Sequence, residues 1–234
     1  MPSPRPLLAL TSVGILCLAA CTARVDADET AGKKPAASGQ TATAVFAGGC
    51  FWCVETDFDH APGVIDVVSG YSGGTTANPN YQTYHDGHHV EVVQVTYDPA
   101  KVTYAGLVEW LIKHIDPTDA TGQFVDRGDG YKPAIFYAND EEKLAAERVL
   151  QQVEAMKVFK RPLRVELLPR SEFYPAEDYH QNFKSTSTAH YSRYRSGTGR
   201  DRFARSVWGK RANVLELEGA YPAGVSGKRV VEAN

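Results

Sequence analysis

The chain is poor in cysteine, and charge of neither sign prevails. Four cysteines in 234 residues are too few to staple a fold of this size, which excludes a disulfide scaffold. With 25 Lys and Arg against 28 Asp and Glu, no basic excess exists to hold a polyanion, so no nucleic-acid partner is expected. The apolar run Leu7 to Ala20 covers 14 residues, short of the ~20 that span a bilayer as a helix. No repeat period is present, so a solenoid is excluded. What remains is an ordinary globular composition, 43% hydrophobic and 23% charged, enough for one domain with a real core plus tails.

The first residues read as an address. Arg5 precedes the apolar run, which ends Leu18-Ala19-Ala20-Cys21 and turns polar at Thr22. Small residues followed by a cysteine resemble the lipobox of bacterial lipoproteins. On that reading residues 1–20 are a signal peptide, Cys17 is discarded, and Cys21 is the lipid attachment point. The rival is an ordinary cleaved signal peptide that happens to contain cysteines. Residues 21–43 hold no large apolar side chain beyond Val25 and are read as a flexible tether. An exported, lipid-anchored location on the periplasmic side follows. Thr22, rather than an aspartate, after the cysteine points to the outer membrane of a Gram-negative cell.

From Ala44 the chain alternates strand and helix patterns. Short apolar or β-branched runs at Ala44–Ala47, Val64–Val68, Val90–Tyr97, Ala134–Tyr137 and Leu163–Leu168 predict strands. Apolar spacing of three and four predicts helices over Cys50–Asp59, Tyr104–Ile115 and Leu144–Met156, the last capped by Asp140. The pattern predicts one α/β or α+β domain over residues 44–209. The stretch 210–234 is read as a surface or poorly ordered tail, and the basic run Arg193 to Arg211 as a solvated face anchored by Trp208. Three irregular stretches, 69–89, 116–131 and 170–200, are rich in Gly, Tyr, His and Asp, and loops that long usually carry function.

The densest signal is Gly48-Gly49-Cys50-Phe51-Trp52-Cys53. A strand ends, glycines turn the chain, and a cysteine opens a helix, where backbone N–H groups favour an anion. That position predicts a thiol pKa below the ordinary ~8.5. Three chemistries fit the pair. Two buried thiols could serve as small hydrophobes, though an exported protein would risk their oxidation. The pair could ligate a metal with His85, His88 or His89, although structural zinc sites usually show two tight ligand pairs. The third chemistry is thiol redox, to which Trp52 adds an apolar wall beside the nucleophile.

The flanking motifs separate these alternatives. Residues 48–55 resemble the signature of the A-type peptide methionine sulfoxide reductases. So do Gly70-Tyr71-Ser72-Gly73-Gly74, Asn78-Pro79-Asn80-Tyr81, His89-Val90-Glu91 and Asp116-Pro117-Thr118-Asp119. Residues 122–128, 173–181 and 199–201 match as well, in order, across residues 44–209. The resemblance implies an α+β two-layer sandwich with a ferredoxin-like strand–helix core, and reduction of methionine S-sulfoxide without a cofactor. By motif position Cys50 is the nucleophile, and Phe51 and Trp52 receive the substrate methyl. Glu91, Tyr81 and Tyr131 surround the sulfoxide oxygen, supported by Asp126, with Tyr191 a further member. The chain departs from the family at Gly87-His88-His89-Val90-Glu91, where Thr-Gly-His-x-Glu is common. It departs again at Gly130-Tyr131-Lys132, where Gln-Tyr-Arg is usual. Val125 and Thr198 stand where relatives often carry cysteine.

The residue types suit that reaction. A thiolate attacks sulfur while an acid protonates the departing oxygen, leaving a sulfenic acid. On a strand Glu91 shares a face with Val93, Val95 and Tyr97, and burial there would keep its proton on near neutrality. With Cys17 removed and Cys21 acylated, Cys53 is the internal thiol left to form a disulfide with Cys50, which a thioredoxin-like reductant would reopen; the alternative is direct attack on Cys50 by an external thiol, with Cys53 a spectator. A monomer is expected. The competing functions are a thioredoxin-like thiol-disulfide oxidoreductase, which would not need Glu91, and a metal-binding surface lipoprotein.

Overall fold

The structure is a computed structural model that describes residues 39–225. The signal segment, Cys21 and most of the tether lie outside the described residues.

In chain order the elements are β1 (Ala42–Ala47), α1 (Phe51–Asp59), β2 (Val64–Ser72), β3 (Val90–Tyr97), α2 (Tyr104–His114), β4 (Gly122–Gln123), β5 (Asp126–Arg127), β6 (Ala134–Tyr137), α3 (Asp140–Ala155), β7 (Glu166–Pro169), β8 (Tyr174–Pro175), α4 (Phe183–Thr186), α5 (Thr188–Thr198) and α6 (Arg200–Trp208). Six strands form one mixed sheet in the order β7-β6-β1-β3-β2-β8, and β4 pairs with β5 as a separate hairpin. Only β6 and β7 run parallel; the other pairings in the sheet are antiparallel. The α+β expectation holds, with a central mixed sheet and helices.

The strands form because β-branched and aromatic side chains alternate on a pleated surface. One face carries Ala44, Phe46, Val93, Val95 and Tyr97 into the main core with α1, α2 and α3. There Phe46 stacks on Phe58 at 5.1 Å, and the Trp110 indole N–H donates to the Asp57 carbonyl at 2.8 Å. The opposite face holds a smaller cluster of Val45, Ala47, Val92, Ala134 and Phe136. Alternation along β3 therefore sends Glu91 toward the helices. It lies opposite Tyr71 of β2 in the ladder.

Four expectations change. The α3 cap is Asn139, whose side chain accepts the Glu142 N–H at 2.9 Å, so Asp140 is already helical. Strand β2 runs on to Ser72, taking residues 69–72 out of the first irregular stretch. Residues 183–198 form helices α4 and α5 rather than a loop, and α6 follows. Their Ser, Thr and Gly content hides the apolar spacing that a longer helix would show.

The fourth change is the tail. Residues 212–220 cover α2, burying Ala212, Leu215 and Ala220. The cause is a charged pair inside α2: Lys113 and Glu109 are both fully buried, 2.8 Å apart. Helical spacing of four with opposite charge reads as a solvated face, yet each group here is completed by the tail backbone. The Lys113 ammonium donates to the Val214 carbonyl at 2.7 Å, and the Glu109 carboxylate accepts the N–H groups of Glu216 and Leu217 at 2.9 and 3.1 Å.

Breaking this pair from one side leaves an uncompensated buried charge. Lys113→Ala should therefore cost about 3–5 kcal/mol of unfolding free energy, read as a lowered urea midpoint. A loss below about 1 kcal/mol would mean that the pair is hydrated in solution.

Candidate active site

The site assembles where β1 turns into α1. Gly49 has φ +85, and a Cβ there would stand 2.5 Å from Cβ of Gln123, so this turn requires glycine. The turn is held from behind by Arg200, a buried guanidinium that donates to the carbonyls of Gly48 and His114 at 2.9 and 3.1 Å. Gln123 bonds both backbone groups of Asp116, at 2.8 Å each. These motif residues brace the turn rather than face a substrate.

Cys50 occupies the cap position of α1, and its carbonyl accepts the N–H groups of Cys53 and Val54. The first helical N–H, that of Phe51, donates to Glu91 Oε2 at 2.9 Å. The Tyr84 hydroxyl donates to Glu91 Oε1 at 3.3 Å. Burial, countered in part by those two donors, raises the Glu91 pKa to about 8. The carboxyl is then mostly protonated at pH 7, as the strand pattern predicts.

Cys50 differs from expectation. Its thiol is held well above the ordinary value by burial, with further contributions from Cys53 and the Glu91 charge, while a hydrogen bond with Tyr194 works the other way. The N–H that should have favoured a thiolate is engaged by Glu91, so the helix end does not offset desolvation. Cys53 shifts oppositely, to about 7, chiefly through the hydrogen bond from Cys50 and then through Arg200 and Arg195. Both thiols are free and buried.

The expected site residues gather with one exception. Phe51 and Trp52 follow Cys50 on α1, their rings 6.4 Å apart. Tyr131 shares a hydrogen bond with Tyr84. Tyr81, 42% exposed, forms the rim. Asp126 accepts the Tyr194 hydroxyl at 2.5 Å, and burial raises its pKa. The exception is Tyr191, which packs with Cys53 and Phe183 behind the pair. One turn later on α5, Tyr194 supplies the hydroxyl beside Cys50.

Sequence reasoning therefore missed Tyr194 and Tyr84. Tyr84 lies one turn beyond Tyr81, its N–H bonded to the Asn80 carbonyl; an i, i+3 pair of tyrosines was the available signal. His89 bonds Gly74 N and Thr76 O at 3.2 and 2.8 Å, a loop-supporting role. Among the described residues no three His, Cys, Asp or Glu gather as metal ligands.

A thiol at the start of a helix, a protonated carboxyl beside it and a second thiol one turn away define a thiol-dependent oxidoreductase. The sequence profile described as peptide methionine sulfoxide reductase matches residues 42–212. The chain belongs to that family, on its A-type branch. It is 48% identical over 167 residues to the peptide methionine sulfoxide reductase MsrA of Listeria monocytogenes, covering 70% of this chain and 94% of the relative. It is 46% identical over 173 residues to the MsrA/MsrB protein of Vibrio cholerae, covering 73% of this chain and 46% of that relative. This chain thus spans about half of that longer protein. The methionine sulfoxide reductase A structure from Corynebacterium diphtheriae superposes with a TM-score of 0.56 at 30% identity, over 67% of this chain and 83% of that one.

The buried carboxyl has a stability consequence. An unfolded glutamate ionises near ~4.3, whereas folded Glu91 keeps its proton to about 8. Between those values the native state binds the extra proton, so raising pH disfavours folding. Glu91→Gln removes that dependence. Its melting temperature should exceed that of the parent at pH 9, with the gap shrinking toward pH 5; other carboxyls titrate alike in both proteins. A gap independent of pH would refute the raised pKa.

Proposed function

We propose that the chain reduces methionine S-sulfoxide to methionine with Cys50 as nucleophile and Glu91 as acid, in repair of oxidised methionine. The observation that carries this reading is the Phe51 N–H donating to Glu91 at 2.9 Å. It holds a neutral carboxyl at the first turn of the helix that Cys50 caps.

The Cys50 sulfur attacks the sulfoxide sulfur as Glu91 delivers its proton to the oxygen. Oxygen passes to sulfur, giving methionine and a Cys50 sulfenic acid, with Glu91 left ionised. Thiolate formation at Cys50 is helped twice: a protonated Glu91 does not repel it, and the nearby Tyr194 hydroxyl lowers the thiol pKa. The substrate methyl enters the slot of Phe51 and Trp52, while Tyr131, Tyr84 and Tyr81 surround the oxygen.

Cys53 then attacks the sulfenic acid, releasing water and closing a Cys50–Cys53 disulfide. Its lowered pKa supports that role, because Arg195 and Arg200 favour its thiolate. A dithiol reductant of thioredoxin type reopens the bond. The lipobox-like segment ending at Cys21 supports an exported, membrane-anchored enzyme.

With reduced protein and stoichiometric methionine S-sulfoxide, one methionine should form per chain, and none with Cys50→Ser. Glu91→Gln should slow this single turnover by about 10²–10⁴-fold. Parent-like rates in either variant would overturn the assignment. Recycling is tested separately: mass spectrometry after excess sulfoxide should find the Cys50–Cys53 disulfide. Undiminished thioredoxin-driven turnover by Cys53→Ser would make Cys53 a spectator.

A further inference from the structure

Aromatic rings lead outward from the slot in steps. Phe51, 1% exposed, meets the His180 ring at 4.9 Å. His180, 2% exposed, meets Tyr81 at 4.6 Å and Tyr179 at 4.2 Å. Those two tyrosines are 42% and 62% exposed. The path therefore runs from a buried interior to water within two ring contacts.

Among the described residues five large hydrophobic side chains are exposed: Tyr81, Val125, Leu144, Tyr179 and Val225. Such residues scattered singly need no explanation, whereas a group of them at the mouth of a site marks a contact surface. Tyr81 and Tyr179 meet on one His180 ring, and Val125 directly precedes Asp126 on the β4–β5 hairpin. Leu144 stands apart on α3. Burial first, then the Glu91, Cys50 and Tyr179 charges, raise the Tyr81 pKa. That hydroxyl is thus within electrostatic reach of the reacting sulfur and of Tyr179 alike.

A sulfoxide inside a polypeptide brings its neighbours to this mouth. In an extended segment side chains alternate, so those one position away point off the enzyme. Those two positions away share the sulfoxide's face, about 6.6 Å along the chain. With the methyl against Phe51, a side chain at that offset meets the outer rings rather than the slot. We propose that Tyr179 is a specificity-determining residue, whose exposed ring receives an apolar or aromatic side chain two positions from the oxidised methionine. The inference rests on the reading of the Phe51–Trp52 slot as the methyl site. Tyr179 sorts polypeptide substrates and leaves the chemistry at Cys50 unchanged, because free methionine sulfoxide has no side chain at that offset.

The experiment is saturation kinetics on serine peptides with a central methionine S-sulfoxide, and on free methionine S-sulfoxide. One phenylalanine is placed one or two positions from the sulfoxide, on either side. In the parent, phenylalanine at an offset of two, on at least one side, should raise kcat/KM about three- to tenfold over serine, the worth of one aromatic pair. The gain should lie in KM, and an offset of one should give less than about twofold. Tyr179→Ala should erase the gain, Tyr179→Phe should keep it, and Leu144→Ala should leave it unchanged. All three variants should turn over free methionine S-sulfoxide within about twofold of the parent. No gain at an offset of two, an equal gain at an offset of one, or a gain that survives Tyr179→Ala would overturn the proposal. So would a Phe variant no better than Ala, or an Ala variant that loses equally on free and peptide substrates. A parent protein that reduces none of these substrates would instead reject the slot reading, and the proposal with it.

Discussion

A single backbone hydrogen bond organises this molecule: the Phe51 N–H to the buried carboxyl of Glu91, across 40 residues of chain. It joins the middle strand pair to the first turn of α1, so sheet and helix cannot shift without separating the acid from the thiol. It also engages the backbone donor that would have favoured a thiolate at the helix end. The carboxyl's retained proton and the thiol's raised pKa both come chiefly from the burial around this contact, which the Phe51 N–H opposes at Glu91. Neither residue behaves as its type does in water.

Around that contact the site is electrically divided. On the side of Cys50 lie Glu91, Asp126 and a ring of tyrosines whose hydroxyls are all pushed to higher pKa by burial. On the side of Cys53 lie Arg195 and Arg200. Arg195 pairs with Asp57 at 2.6 Å and Asp201 at 2.5 Å while donating to the Cys53 carbonyl at 3.2 Å. One helical turn thus spans two environments, one suited to holding protons and the other to losing them. The two sulfurs take different chemistry from position rather than identity.

Much of this was legible in the residues. The glycine-to-cysteine junction marked the start of α1, and period-two alternation along β3 aimed Glu91 inward. Features that depend on three-dimensional return were not legible. Tyr194 reaches Cys50 because α5 folds back over α1, and Tyr191 seemed equivalent only while that helix read as loop. The Cys50 pKa defied its helix-end position because the folded chain buries the thiol, with Cys53 and the Glu91 charge adding to the rise. Nothing local in the sequence announces the segment that covers Glu109 and Lys113. Local patterning reports faces and caps; it does not report which distant backbone completes a buried charge.

That last closure bears on when the chain can fold. Helix α2 hides an ion pair whose remaining hydrogen bonds come from residues 214–217, about a hundred positions later. Until those residues are available, burying α2 would strand two charges without their full complement of partners. The α2 face that carries this pair is therefore fully satisfied only by residues from the last tenth of the polypeptide.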